Sequence, residues 1–214
     1  MMGGVKIALL IFPRLTALDA VGPYEVLSRI PGAELTFVAP EPGEMRTDTG
    51  RLGITADASI DDLDEADVLV VPGGVGNRPL LADERVLDWV RMIDSASEWT
   101  TSVCTGSLVL GAAGLLKGRR ATSHWAYRDE LTHYGAEPVA ERVVVDGKYV
   151  TAAGVSAGID MALTLTARLT HEDVARAIQL GIEYDPEPPF DAGSPEKAGP
   201  DLVELVKGIQ AAEI

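Results

Sequence analysis

The sequence predicts an α/β fold: a mostly parallel central sheet covered by helices on both faces. Three observations predict it. Short runs of nearly continuous apolar residues, the mark of strands buried on both faces, occur at residues 6–12, 35–39 and 68–71. Several of the segments between and after them carry apolar residues at helical spacing. Strand and helix signals alternate along the chain, which requires crossover connections and a parallel sheet. With 214 residues and 46% hydrophobic content, the chain suits one domain spanning residues 1–214.

The elements follow in order. Residues 6–12 form the first strand. Residues 16–30 form a helix with Leu18, Val21, Val26, Leu27 and Ile30 at helical spacing, stopped by Pro31-Gly32. Residues 35–39 are the second strand. Residues 41–60 are polar, with room for a short hairpin at 51–57. Residues 68–71 are a strand ending in Pro72-Gly73-Gly74-Val75-Gly76. Residues 78–96 are helical, with Leu80, Leu81, Val86, Trp89, Val90 and Ile93 inward. Residues 99–103 are β-prone and 107–116 suit a buried helix. Residues 120–123 read as a strand, and 127–134 as a helix ended by Gly135. Residues 142–145 and 149–152 flank Asp146-Gly147, the signal of a two-residue type I′ hairpin. Residues 156–169 and 172–184 are helices, the second opened by His171. The stretch 185–199 is rich in Pro and Gly and reads as irregular; a last amphipathic helix covers 201–212.

Composition excludes several functions. The formal net charge is −15, from 18 basic and 33 acidic residues. Such a surface repels nucleic acid and anionic membrane, so neither is an expected partner. One cysteine rules out an internal disulfide and fits a reducing, cytoplasmic setting. The N-terminal apolar run is too short to span a membrane and reads as a first strand, not a signal peptide. Three scattered histidines and one cysteine show no metal-ligand spacing, and no cofactor is expected. The stretch P-G-G-V-G-N-R-P has neither dinucleotide spacing nor a Lys-Ser/Thr ending.

The chemistry centres on Cys104. It lies at a strand-to-helix junction, with Ser102 two residues before and Gly106 two after. Small residues on both sides permit the sharp turn of a nucleophile elbow, and a helix N-terminus behind the sulfur would favour the thiolate. The plain alternative is a buried structural cysteine. In parallel sheets, ligands bind beyond the carboxyl ends of the strands. Residues 13–19, residues 72–76 and Cys104-Thr105 should therefore meet around one pocket. Asp19 either caps the first helix or stands beside Cys104, where like charge would raise its pKa and allow a shared proton. Gly73 and Gly74 either make a plain turn or offer amides, with that of Thr105, to developing negative charge. His124 follows a strand and could face the same pocket; His133 and His171 read as exposed.

Four stretches together, L-D-A-V-G-P-Y-E-V-L, V-V-P-G-G-V-G, V-C-T-G-S-L-V-L-G-A-A-G-L-L and A-T-S-H-W, resemble the ThiJ/PfpI superfamily. The resemblance covers most of the chain. It implies a flavodoxin-like three-layer sandwich, of the kind shared with class I glutamine amidotransferases, with a cysteine at the elbow. Two further stretches, T-A-A-G-V-S-A-G-I-D-M-A-L and A-I-Q-L-G-I-E-Y-D-P-E-P-P-F-D-A-G-S-P, are similar to those of isonitrile hydratases. These are homodimeric lyases that add water to an isonitrile to give an N-substituted formamide. The resemblance implies catalytic roles for Cys104, Thr105 and Asp19, with Glu25 ranked behind Asp19. It implies a small-molecule isonitrile substrate and a homodimer. Gly73, Gly74, His124 and Trp125 are the expected substrate-binding residues. Other readings stay open: a sensor with an oxidisable Cys104, the ligand-binding domain of a regulator, or a cysteine hydrolase using His124. The regulator reading lacks a DNA-binding half before the chain ends near residue 214.

Overall fold

The apolar runs become the centre of a seven-stranded sheet in the computed structural model, which describes residues 4–213. The strands are β1 (Lys6–Leu10), β2 (Glu34–Ala39), β3 (Gly43–Arg46), β4 (Gly53–Ala56), β5 (Ala58–Ser59), β6 (Val68–Val71), β7 (Trp99–Val103), β8 (Arg120–Ala121), β9 (Glu137–Pro138), β10 (Val143–Asp146) and β11 (Tyr149–Ala152). The helices are α1 (Ala17–Leu27), α2 (Glu84–Ala96), α3 (Gly106–Ala112), α4 (Ala157–Leu169), α5 (Glu172–Gly181), α6 (Pro195–Ala198) and α7 (Pro200–Glu213).

The main sheet has the order β10-β11-β7-β6-β1-β2-β5. All its pairings are parallel except β10 with β11. The central strands β1 and β6 are buried on both faces, which is why their sequences do not alternate. Helices α1, α4 and α5 pack together, as do α2 and α3, the latter against β6 and β7. From β1 the chain builds outward to β2 and β5, then returns to place β6 on the other side of β1. The carboxyl ends of β1 and β6 thus flank a topological switch point, where an open α/β sheet leaves a crevice.

Several expectations need correction. The hairpin is longer than residues 51–57: β3 pairs with β4 through a turn at 47–52, so the expected segment is mostly its second strand. Residues 78–96 are not one helix. A 3₁₀ turn at Pro79–Ala82 ends at Asp83, whose carboxylate accepts from the amides of Arg85 and Val86 and caps α2. The segment 120–123 pairs only over β8, and in a separate two-stranded ribbon with β9. Residues 128–134 form a 3₁₀ helix closed by left-handed Gly135. Pairing of Asp146 with Tyr149 makes Gly147-Lys148 the loop of the β10–β11 hairpin. Gly147 alone of the two has positive φ, so the turn takes the II′ pattern and not I′. The helix expected over 172–184 stops at Gly181, and the Pro/Gly stretch contains the single turn α6. No described helix is long and apolar enough to cross a membrane.

One glycine sets how closely α3 approaches the sheet. A Cβ on Gly106 would lie 2.0 Å from the Val71 carbonyl oxygen. That oxygen belongs to the end of a central strand and has nowhere to retreat. Gly106→Ala is expected to destabilise the fold by about 2 kcal/mol or more, since overpacking against rigid backbone costs roughly 1–3 kcal/mol. Urea unfolding checks this; a variant as stable as wild type would show that α3 can lift away freely.

Candidate active site

Three loops meet at the carboxyl ends of β1, β6 and β7, as expected, and hydrogen bonds join them. The Thr16 amide donates to the Gly73 carbonyl at 3.0 Å, and the Gly76 amide to the Arg14 carbonyl at 3.1 Å. The Gly73 amide donates to Asp19 Oδ2 at 2.9 Å. The Gly74 amide donates to Thr105 Oγ1 at 3.1 Å, and Asn77 Nδ2 to the Thr105 carbonyl at 2.8 Å. Gly73 is required here: a Cβ would stand 2.5 Å from the Thr105 nitrogen and 2.6 Å from its Oγ1.

Cys104 occupies the turn between β7 and α3 at φ 56°, a conformation that costs a non-glycine residue roughly 1–3 kcal/mol. The surroundings hold it there. Its amide is shared between the carbonyls of Ala152 and Ala153, and its carbonyl accepts from the hydroxyls of Ser107 and Ser123. This is the expected elbow. Its sulfur faces the Asp19 carboxyl and the amides of Thr105 and Val155. Val155 itself has φ 30°, unusual for a β-branched residue. Two left-handed residues thus converge on the cavity.

Asp19 does not cap its own helix. It is fully buried, and its carboxyl crosses to the Gly73 amide and the Cys104 thiol. Oδ1 has no well-aligned hydrogen-bond partner among the described residues. Burial pushes the Asp19 pKa from the ordinary 3.8 to about 7, against the pull of its bonds from Gly73 and Cys104; the nearby charge of Asp48 adds to the rise. Burial also pushes the Cys104 thiol well above its usual value. The charge of Asp19 reinforces this, and the Thr105 and Val155 amides oppose it. The expected thiolate at the N-terminus of α3 is therefore not the resting state: desolvation outweighs the two amides. Removing one proton from the pair leaves a carboxylate beside a thiol.

The cavity over this pair has a volume of about 230 Å³. Gly74, Val75, Cys104, Thr105, His124 and Val155 contribute to its wall, with Asp48 and Gln210 reaching in from distant elements. The amides of Gly73 and Gly74, expected to face substrate, are instead engaged by Asp19 and Thr105. His124 lines the cavity with its pKa lowered by burial, and no hydrogen bond joins it to Cys104 among the described residues; its Nδ1 accepts from the Ala126 amide at 3.3 Å. Trp125 lies outside this cavity. It lines a wider neighbouring chamber of about 560 Å³ that shares His124 and Val155 with the first. Glu25 is ion-paired with Arg29 at 2.7 Å and is half-exposed, away from the cavity. His133 and His171 are exposed. Among the described residues no group of three or more His, Cys, Asp or Glu side chains could hold a metal ion.

Sequence reasoning missed Asn77, Val155, Asp48 and Gln210. Asn77 ends a glycine-rich run and Val155 stands between Gly154 and a string of small residues, both readable signals of tight turns. Asp48 arrives on the β3–β4 turn, where it accepts from the Thr16 hydroxyl at 2.9 Å; its polar stretch carried no signal of a site.

A buried thiol on a strained strand-to-helix turn, paired with a carboxyl from the first helix of a parallel sheet, defines a family of α/β proteins with an elbow cysteine. This chain belongs to the DJ-1/PfpI family, which it matches over residues 5–168. It is similar to the isonitrile hydratase of Pseudomonas putida, 46% identical over 200 residues that cover 94% of this chain and 87% of that one. It is 30% identical to the deglycase PfpI of Pyrococcus furiosus over 151 residues, 69% of this chain and 89% of the relative. Among solved structures, a ThiJ/PfpI family protein from Pseudomonas syringae superposes with a TM-score of 0.93 at 41% identity, covering 99% of this chain and 88% of that one. Drosophila melanogaster DJ-1beta, at 21% identity and a TM-score of 0.76, covers 84% of this chain and 98% of its own and shows the shared fold.

The raised pKa of Asp19 has a consequence for stability. The folded protein holds this proton up to about pH 7, whereas the unfolded chain releases it near pH 4. Unfolding free energy attributable to Asp19 therefore falls as pH rises through that window, by about 4 kcal/mol in all. Asp19→Asn keeps an acceptor for Gly73 and removes the titration. The stability of wild type relative to this variant should decline between pH 4 and 7 in urea melts; parallel curves would refute the shifted carboxyl.

Proposed function

We propose that this chain is an isonitrile hydratase, a lyase that converts an isonitrile and water into an N-substituted formamide. The observation that carries the reading is the buried Asp19–Cys104 pair, on a chain that is 46% identical along nearly its whole length to a curated enzyme of that name. The reading includes a homodimer in the cytoplasm, with Cys104, Asp19 and Thr105 as the catalytic residues.

The chemistry follows from the pair. An isonitrile carbon carries a lone pair and becomes electrophilic once protonated. Asp19 as carboxylate takes the Cys104 proton and delivers it to that carbon while the sulfur bonds to the same atom. The product is a thioimidate, R–N=CH–S, and Asp19 is again ionised. Asp19 then draws a proton from water as the water oxygen adds to the carbon, and passes that proton to the substrate nitrogen. Finally the new hydroxyl returns its proton to Asp19 as the C–S bond breaks. The formamide leaves with one water added, and the pair is restored. The Thr105 and Val155 amides steady the departing sulfur. Thr105 Oγ1 accepts from Gly74, which leaves its O–H to place the water.

The alternatives fit less well. Oxidation sensing favours an exposed thiolate; Cys104 is 5% exposed and holds its proton. A cysteine hydrolase calls for a basic partner on the thiol, and here that partner is Asp19 in place of His124.

Formamide production from an aryl or alkyl isonitrile, followed by NMR, tests the reading. Cys104→Ala is expected to form none above the uncatalysed rate, and Asp19→Asn to lose roughly 10²–10⁴-fold in kcat, the usual worth of a general acid–base group. Full activity in Cys104→Ala would remove the covalent route.

The pH profile supplies a separate check. The productive state has Asp19 ionised, so kcat/KM should rise with pH through an apparent pKa of about 7. Asp48→Asn removes a charge that raises this value and should move the rise to lower pH; an unmoved limb would show that Asp48 does not act on Asp19.

A further inference from the structure

The DJ-1/PfpI match ends at residue 168, yet one wall of the Cys104 cavity comes from far beyond it. Helix α7 lies over the site. Val203, Val206 and Gln210 are spaced three and four residues apart and so share one face of the helix. Val203 and Val206 line a small cavity with Trp125 and Pro195, and Gln210, a turn further on, lines the cavity over Cys104. The adjoining flank of α7 carries the exposed Leu202, Leu205 and Ile209, of which Leu202 also lines that small cavity. The part of the chain that matches the family therefore supplies the thiol and its acid, and a helix beyond it supplies a further side chain to the cavity that Cys104 lines.

Gln210 Oε1 is buried and has no hydrogen-bond partner among the described residues. Burying a carbonyl oxygen without a donor is unfavourable, so such an atom marks a place where a donor is welcome. Several other polar groups around the cavity are already engaged. The Thr16 hydroxyl donates to Asp48, Asn77 Nδ2 donates to the Thr105 carbonyl, and Thr105 Oγ1 accepts from Gly74. Arg78 forms a two-pronged ion pair with Glu130 at 3.0 and 3.2 Å. Gln210 thus brings to the cavity wall a neutral acceptor that has no partner among the described residues.

The reaction proposed above creates one donor that the substrate lacks. An isonitrile has no N–H. Its nitrogen acquires one when water adds to the thioimidate, and the formamide retains it. We propose that Gln210 is a substrate-positioning residue whose side-chain oxygen accepts the N–H formed on the substrate nitrogen during hydration. The inference rests on the hydratase reading for its chemistry and on the unpaired buried oxygen for its place. A bond absent from the bound isonitrile and present after water addition favours the later state over the earlier one, which is how binding interactions raise kcat without lowering KM. The same bond makes Gln210 a reader of secondary formamides.

Two measurements test it, and they fail independently. In the first, isonitrile turnover by Gln210→Leu should show kcat reduced about tenfold with KM within a factor of two, while Gln210→Glu, which keeps an acceptor, recovers part of the loss. Matching thermal unfolding of the variants excludes loss of α7 docking as the cause; if Gln210→Leu unfolds early, Gln210→Met serves in its place. In the second, calorimetry on the Cys104→Ala protein compares N-benzylformamide with N-benzyl-N-methylformamide, which has no N–H. The N–H compound should bind about tenfold tighter, and Gln210→Leu should bring the two to within a factor of two. An unchanged preference in that variant overturns the proposal. So does a preference abolished by Asp48→Asn and untouched by Gln210→Leu, which would make Asp48 the acceptor. Absence of isonitrile turnover in wild type would sink the hydratase reading alone, since the calorimetric comparison needs no turnover.

Discussion

The site depends on one buried contact, the hydrogen bond from the Gly73 amide to the Asp19 carboxyl. It ties the end of β6 to the first turn of α1 and holds an ionisable group away from bulk solvent. Everything chemical follows from that burial. A carboxyl in solvent would titrate near 4 and stay charged at neutral pH. Enclosed beside a thiol and behind a glycine with no Cβ to displace it, it titrates near neutrality and can pass a proton in either direction. The cysteine is changed by the same contact. Its thiol holds its proton, so in the proposed reaction its reactivity is conditional on the carboxylate that takes it.

The backbone carries a second constraint. Cys104 and Val155 both adopt left-handed conformations, one on the turn after β7 and the other just before α4. Neither is a glycine, so each is held there by its surroundings against a local preference. The amide of Val155 and the sulfur of Cys104 face each other across this strained pair. That geometry aims two amides at the sulfur without any cationic side chain. It suits an atom that, in the proposed reaction, leaves as an anion; Arg78, which also lines the cavity, is taken up by Glu130.

Much of this was legible in the sequence, and the division has physical causes. The strands β1, β6 and β7 declare themselves because double burial leaves no polar residue in the run. The elbow declares itself because a sharp turn needs small neighbours, and Ser102 and Gly106 supply them. Asp19 could be placed near Cys104 because ligand crevices in parallel sheets lie at strand ends. What was not legible depends on contacts distant in sequence. Asp48 reaches the cavity from a hairpin with no apolar pattern, and Gln210 from a helix whose amphipathicity says only that one side is buried. The roles of the Gly73 and Gly74 amides were misread for the same reason: a glycine turn signals close approach, but not by which atom. The hairpin register slipped by one residue because Asp-Gly favours I′ only when both occupy the loop, and here the pairing of Asp146 with Tyr149 moved the loop along.

The seams between the three loops have a consequence for how the molecule comes into being. The contacts that define the site join residues 54, 31 and 28 positions apart, and α7 adds a wall from more than a hundred positions beyond Cys104. Such contacts are slow to form, because the chain loses loop entropy before they reward it. A chain with its helices formed and its sheet half-assembled holds an ordinary exposed thiol and an ordinary carboxylate. The reagent exists only once the three loops have closed on one another, so it is a property of the assembled fold and of no single element.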